Sequence, residues 1–136
     1  MIKNKNSILH YLMFVSICSI VISCTNTKNE NNCISFQTAS IISAQGADTG
    51  SINQIATFNI SYGINNGCGH FESIEQSTNG DTTLVKVKTK YQGCVCTQMA
   101  GILTTPFTFS ATIPGIYYFK FYQTDQSYLL DSIRIQ

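Results

Sequence analysis

The chain has no tryptophan, and only 11% of its 136 residues are charged, with no block of either sign. So little charge, set beside abundant Asn, Ser, Thr and Gln, excludes the composition of a highly charged disordered tail and favours a globular domain. The absence of a basic block excludes a nucleic-acid footprint and a strongly basic membrane-binding face. Lys3 and Lys5 are two of the eight basic residues, and without them the seven acidic residues are in excess by one. From Cys33 onward there is no helical period, no internal repeat and no second domain boundary, so the length accommodates one small domain. Motifs of hydrolytic and nucleotide chemistry are also missing. There is no nucleophile elbow and no H-E-x-x-H, and "NNGCG" at 65–69 lacks the following helix and lysine of a phosphate loop. Glu72 and Glu75 lie too close in one segment to face each other across a substrate without a bend. The chain therefore does not read as an enzyme, and no cofactor is expected.

What is present begins with "MIKNKNSILHYLMFVSICSIVISC". Lys3 and Lys5 form a positive n-region. The apolar stretch from Ile8 to Ile22 is shorter than the ~20 residues of a comfortable membrane span, which is the pattern of a secretory signal. "VISC" at 21–24 resembles the lipobox of bacterial lipoproteins, in which a branched apolar residue, a tolerant position and a small residue precede the cysteine. The resemblance implies cleavage after Ser23 and lipidation of Cys24 as the mature N-terminus. Each buried methylene of such an anchor contributes about 0.8 kcal/mol, and several acyl chains hold stably where one alone is marginal. "TNTKNENN" at 25–32 is polar and aperiodic and reads as a flexible tether. The expected organisation is a signal peptide over 1–23, the lipidated cysteine and tether over 24–32, and a folded domain over 33–136. The expected location is the cell envelope, lipid-anchored at the outer membrane on its periplasmic or surface face.

Period-two runs fill the domain. "TFNISY" sets Phe58, Ile60 and Tyr62 against Asn59 and Ser61, and "LVKVKTKY" sets Val85, Val87, Thr89 and Tyr91 against Lys86, Lys88 and Lys90. Turn signals stand at "NGD" (79–81) and "IPG" (113–115). Strands are predicted over 33–44, 53–62, 69–77, 82–91, 94–99, 105–112, 116–123 and 128–135. Seven or eight short strands, each with one apolar face to bury, predict an all-β antiparallel sandwich, with a closed barrel as competitor. "PGIYYFKFYQTDQSYLLDSIRIQ" resembles the closing hairpin of immunoglobulin-like sandwiches of the fibronectin type III and polycystic-kidney-disease kinds. That resemblance implies a tyrosine corner at Tyr117, Phe119 and Phe121 pointing inward, and Ile133 and Ile135 on the facing strand. The buried tryptophan of antibody domains has no counterpart here.

With Cys18 in the signal and Cys24 lipidated, the mature domain keeps Cys33, Cys68, Cys94 and Cys96. An even count in an exported chain implies disulfides, and four cysteines allow three connectivities. In a strand, residues two apart share a face with Cα atoms ~6.5–7 Å apart, at or beyond the disulfide limit. Cys94 and Cys96 are therefore expected to bond elsewhere, one to Cys68 and the other to Cys33. The alternative is a metal or thiol-redox site using Cys68, His70, Cys94 and Cys96, with Met99 nearby, a soft set suited to copper(I) or zinc. Thiols in an oxidising compartment are lost to disulfides, and the redox motif C-x-x-C is missing.

Two surface features are candidates for ligand binding. Lys86, Lys88 and Lys90 form a stripe able to meet an anionic glycan or lipid headgroup, although such stripes more often are solvated or guard a sheet edge. Tyr118 and Tyr122, beside Lys120, offer an aromatic platform for a carbohydrate or protein unless a loop covers them. The functional expectation is a non-catalytic envelope lipoprotein, acting as a binding, adhesion or accessory module. Its partners would be the membrane, through the anchor, and an envelope protein or glycan.

Overall fold

Alternating apolar and polar side chains become nine strands among residues 33–136, which are the residues described by the computed structural model. The expected signal peptide, the lipidated Cys24 and the tether lie outside the described residues. The strands are β1 (Ile34–Ala39), β2 (Ile41–Gln45), β3 (Thr49–Gly50), β4 (Ala56–Ile64), β5 (Gly69–Asn79), β6 (Thr82–Gln92), β7 (Gly101–Phe109), β8 (Gly115–Thr124) and β9 (Ser127–Ile135). They form a β-sandwich. One sheet has the order β1-β6-β8-β9-β3 with β5 also paired to β6, and the other has the order β2-β4-β7.

Strand β6 organises the larger sheet. Its burial alternates along the whole strand, with Thr83, Val85, Val87, Thr89 and Tyr91 turned into the sandwich. Along one edge it pairs with β5 in an antiparallel hairpin that turns at Gly80, whose φ of 63° suits glycine. The other edge is shared. Residues Thr82 to Val85 run parallel to Tyr118 to Phe121 of β8, and Val87 to Gln92 run antiparallel to β1. The β6–β8 pairing, like the two-residue β3–β9 ladder, is parallel.

The core lies between the sheets and is built on phenylalanine. Phe119 is 1% exposed, and the rings of Phe58, Phe107, Phe109 and Phe121 have centroids 4.9, 5.7, 5.1 and 6.0 Å from its own. Phe58 meets Phe119 tilted, Phe107 and Phe109 meet it edge-on and Phe121 is stacked on it, arrangements that suit the quadrupoles of these rings, and the cluster fills the space without a tryptophan. Ile41, Ile60, Val85, Val87, Phe121 and Ile133 complete the interior at 0% exposure, with Ile135 at 2%.

The strands depart from the sequence reading in several places, and the predicted strands 53–62 and 105–112 are β4 (Ala56–Ile64) and β7 (Gly101–Phe109). The predicted strand 33–44 is two strands, because the chain leaves the β1–β6 ladder at Ser40 and joins β4 in the opposite sheet. β3 is too short to show a period and was not predicted. The predicted strand 94–99 is a loop. β6 ends between β1 and β5, with Tyr91 facing Ser35 on one side and Gly69 on the other. A segment that must bond to cysteines on both sides has to arch across that end, and Gly93, at φ 146°, turns the chain into the arch.

Candidate functional site

Two parts of the sandwich carry the residues singled out by their chemistry. The first is the arch. Cys33 is bonded to Cys94 with Cα atoms 5.0 Å apart, and Cys68 to Cys96 with Cα atoms 5.5 Å apart. Cys33 leads into β1 and Cys68 into β5, so the two bridges fasten the arch to the strands on either side of β6. Backbone bonds close the same region: Gly93 N–H donates to the Cys33 carbonyl at 2.9 Å, and Gly67 N–H to the Thr97 carbonyl at 3.0 Å. Cys94 and Cys96 therefore reach in different directions instead of sharing a strand face. The alternative metal set of Cys68, His70, Cys94 and Cys96 is not assembled, because all three of its sulfurs are in disulfides and His70 Nδ1 lies 3.2 Å from the Cys68 carbonyl oxygen. Met99 stands on the arch, 71% exposed. Among the described residues no three His, Cys, Asp or Glu side chains converge.

The second part is the outer face of the larger sheet. Because β6 and β8 are neighbours, the lysine stripe and the tyrosines share one surface. The ammonium of Lys86 sits over the Tyr122 ring, 5.3 Å from its centroid, within range of a cation–π attraction. Across the β8–β9 hairpin Tyr122 faces Tyr128, the rings edge-on at 6.5 Å. Burial, then the adjoining Asp125, which accepts the Tyr122 hydroxyl hydrogen bond at 3.1 Å, and then Tyr128 raise the Tyr122 pKa above its ordinary value. Next to this group is an open depression of about 420 Å³ lined by Ser77, Asn79, Thr82, Leu84, Lys120 and Tyr128. Tyr118, 45% exposed, stands at the register position beside Thr82, one of the lining residues.

The lysine stripe divides by environment. Lys88 is held by Glu75 at 3.8 Å and donates to the Thr38 hydroxyl at 3.1 Å, so its role is structural. Lys90 lies apart in a row with Phe36 and His70. The Lys88–Glu75 contact is the one ion pair among the described residues, and it leaves Lys86 and Lys120 without a carboxylate partner there. The stripe and platform of the sequence reading thus contract to Lys86, Lys120 and Tyr122, joined by Tyr128. Tyr128 was missed, although residues equidistant from Asp125 pair across a hairpin and would have placed it opposite Tyr122.

No curated protein and no solved structure matches the chain. The pattern of the ORF11 beta-sandwich domain matches residues 58–128, just over half of the chain. The match spans β4 to the start of β9 and takes in Cys68, the arch, Lys86, Lys120 and both facing tyrosines. Residues 58–128 thus carry most of the core and most of the surface described above, and the chain belongs to the ORF11 beta-sandwich domain family.

Proposed function

We propose that the chain is an exported, non-catalytic lipoprotein of the cell envelope, anchored to the outer membrane through Cys24, whose sandwich binds an envelope glycan or protein. The binding surface in this reading is the outer face of the larger sheet. The observation that carries it is the grouping of Lys86, Tyr122 and Tyr128 beside the depression that holds Lys120. Tyrosine rings offer a flat apolar face and a polar rim, the hydroxyl and amide groups of Ser77, Asn79 and Thr82 offer hydrogen bonds, and Lys86 and Lys120 offer unpaired positive charge. The anchor rests on "VISC" and on the preceding n-region and apolar stretch. The disulfides suit an oxidising compartment. The reading as a non-enzyme rests on the missing catalytic motifs.

The test of the surface is capture of envelope polysaccharide and protein by the oxidised domain and by a Tyr122→Ala/Tyr128→Ala variant. A hot spot of this kind predicts at least a tenfold loss of affinity. Equal capture by both proteins would remove the surface from the reading. Palmitate labelling tests the anchor separately: Cys24→Ser should lose the label, and unchanged labelling would remove the anchor.

A further inference from the structure

We infer that the arch over residues 93–100 is a lipid-contacting tip, seated on the interface of the bilayer that holds the anchor. The inference rests on lipidation of Cys24. Val95, between the two half-cystines, is 94% exposed, Met99 is 71% exposed, and Ile102, just beyond on β7, is 65% exposed. Scattered apolar residues are normal on protein surfaces, so exposure alone says little. The position of the arch says more. The Cys33–Cys94 bridge and the Gly93 to Cys33 hydrogen bond fasten it to the residue through which the chain enters the domain.

Nine residue steps separate Cys24 from Cys33. At no more than ~3.3–3.6 Å each, they keep Cys33 within roughly 32 Å of the lipidated residue, and the bridge adds 5.0 Å to Cys94 on the arch. The far end of the sandwich is an eleven-residue β6 away, about 35 Å further at strand rise. Confinement of this kind sets a high effective concentration, at which even a weak affinity for the interface is realised. The chemistry of the arch fits that partner. Residues 93–100 contain no charged side chain, so seating Val95 and Met99 among acyl chains strands no ion. Lys90, two residues before β6 ends at Gln92 and unpaired with any carboxylate among the described residues, can meet an anionic headgroup. The far end also exposes Ile55 and Ile113, but it carries Asp81 in the Gly80 turn and lies a strand's length further from Cys33, where the chain enters the domain.

The absence of tryptophan makes the test clean, since one substitution installs the sole indole. Val95→Trp, Met99→Trp and, at the far end, Ile113→Trp are introduced singly into the full chain, purified from membranes and reconstituted in phosphatidylethanolamine–phosphatidylglycerol vesicles with brominated acyl chains. The protein is expected to float with the vesicles, with bromine quenching at positions 95 and 99 at least twofold stronger than at 113. Flotation with equal or absent quenching at all three positions overturns the tip and leaves the anchor standing. Failure of every variant to float overturns the anchor and the tip with it. Positions 95 and 99 report independently, so misfolding of one variant, detected as free thiols, leaves the other to decide.

Discussion

The Tyr117 hydroxyl donates to the Ile113 carbonyl oxygen at 2.9 Å, folding the β7–β8 connection back onto the strand that follows it. The Tyr117 ring packs tilted against Phe109 at 5.0 Å, so the same side chain joins the last inward residue of β7 to the core. Pro114, Gly115 and Ile116 separate donor from acceptor, and Pro114 and Gly115 supply the tight turn that brings them together.

Tyr117→Phe keeps the ring contact and removes the hydrogen bond. The expected loss is about 0.5–1.5 kcal/mol, read from the urea midpoint at unchanged slope. Tyr117→Ala also removes the packing and should cost up to about 3 kcal/mol. If the phenylalanine variant matches wild type, the corner does not stabilise the fold.

The two disulfides should differ modestly in worth. Cys33–Cys94 spans a sequence separation of 61 and Cys68–Cys96 one of 28. In the chain-entropy model loops of these lengths stabilise by roughly 4 and 3.5 kcal/mol. Cys33→Ser/Cys94→Ser and Cys68→Ser/Cys96→Ser should each show no free thiol by alkylation and mass, because the remaining pair stays bonded. Cys33→Ser/Cys96→Ser leaves partners from different bridges and should show two thiols. A fully oxidised crossed variant would contradict this connectivity.

Gly93 should tolerate no side chain. Its φ of 146° lies where other residues are strained, and a Cβ there would stand 2.8 Å from the Cys68 sulfur. Strain of this kind costs on the order of 1–3 kcal/mol. Gly93→Ala should lower the urea midpoint and leave a larger fraction of the domain with unpaired thiols. Gly80→Ala makes a useful comparison, since its φ of 63° is strained but its surroundings are open. A milder effect at Gly93 than at Gly80 would show that crowding against the sulfur is relieved.

The features legible in the sequence are those decided locally. Alternation in β6 places Val85 and Val87 inside and the lysines outside, and the resemblance of the run from Pro114 to immunoglobulin-like closing hairpins implies the corner at Tyr117. Pairing between distant segments is set instead by which surfaces can be buried together. The parallel run of β6 beside β8 leaves no mark in either strand, so the meeting of Lys86 with Tyr122 is hidden until the sheet is assembled. The switch at Ser40 is hidden for the same reason, since Ala39 and Ile41 keep the inward alternation while their ladders belong to different sheets. "CVC" looks like strand because period two is shared by any x-apolar-x triplet. Its bonds to cysteines on both sides of β6 decide otherwise.

Alkaline pH should destabilise the fold through Tyr62. Tyr62 is 1% exposed, and burial raises its hydroxyl pKa above the ordinary 10.0. Below about pH 10 the hydroxyl keeps its proton in both folded and unfolded chains, so its contribution to stability is fully present. As pH rises past that point the unfolded chain ionises first, and stability falls until the folded-state pKa is passed. Tyr62→Phe removes that proton. The variant should therefore lose less stability than wild type between pH 8 and pH 11, measured as the shift in urea midpoint. The 295 nm absorbance titration of wild type should show delayed tyrosine ionisation, and the part of it due to Tyr62 should be missing from the variant. Equal midpoint shifts in the two proteins would place the alkaline sensitivity elsewhere, with Tyr122 the next group to test because its pKa is also raised.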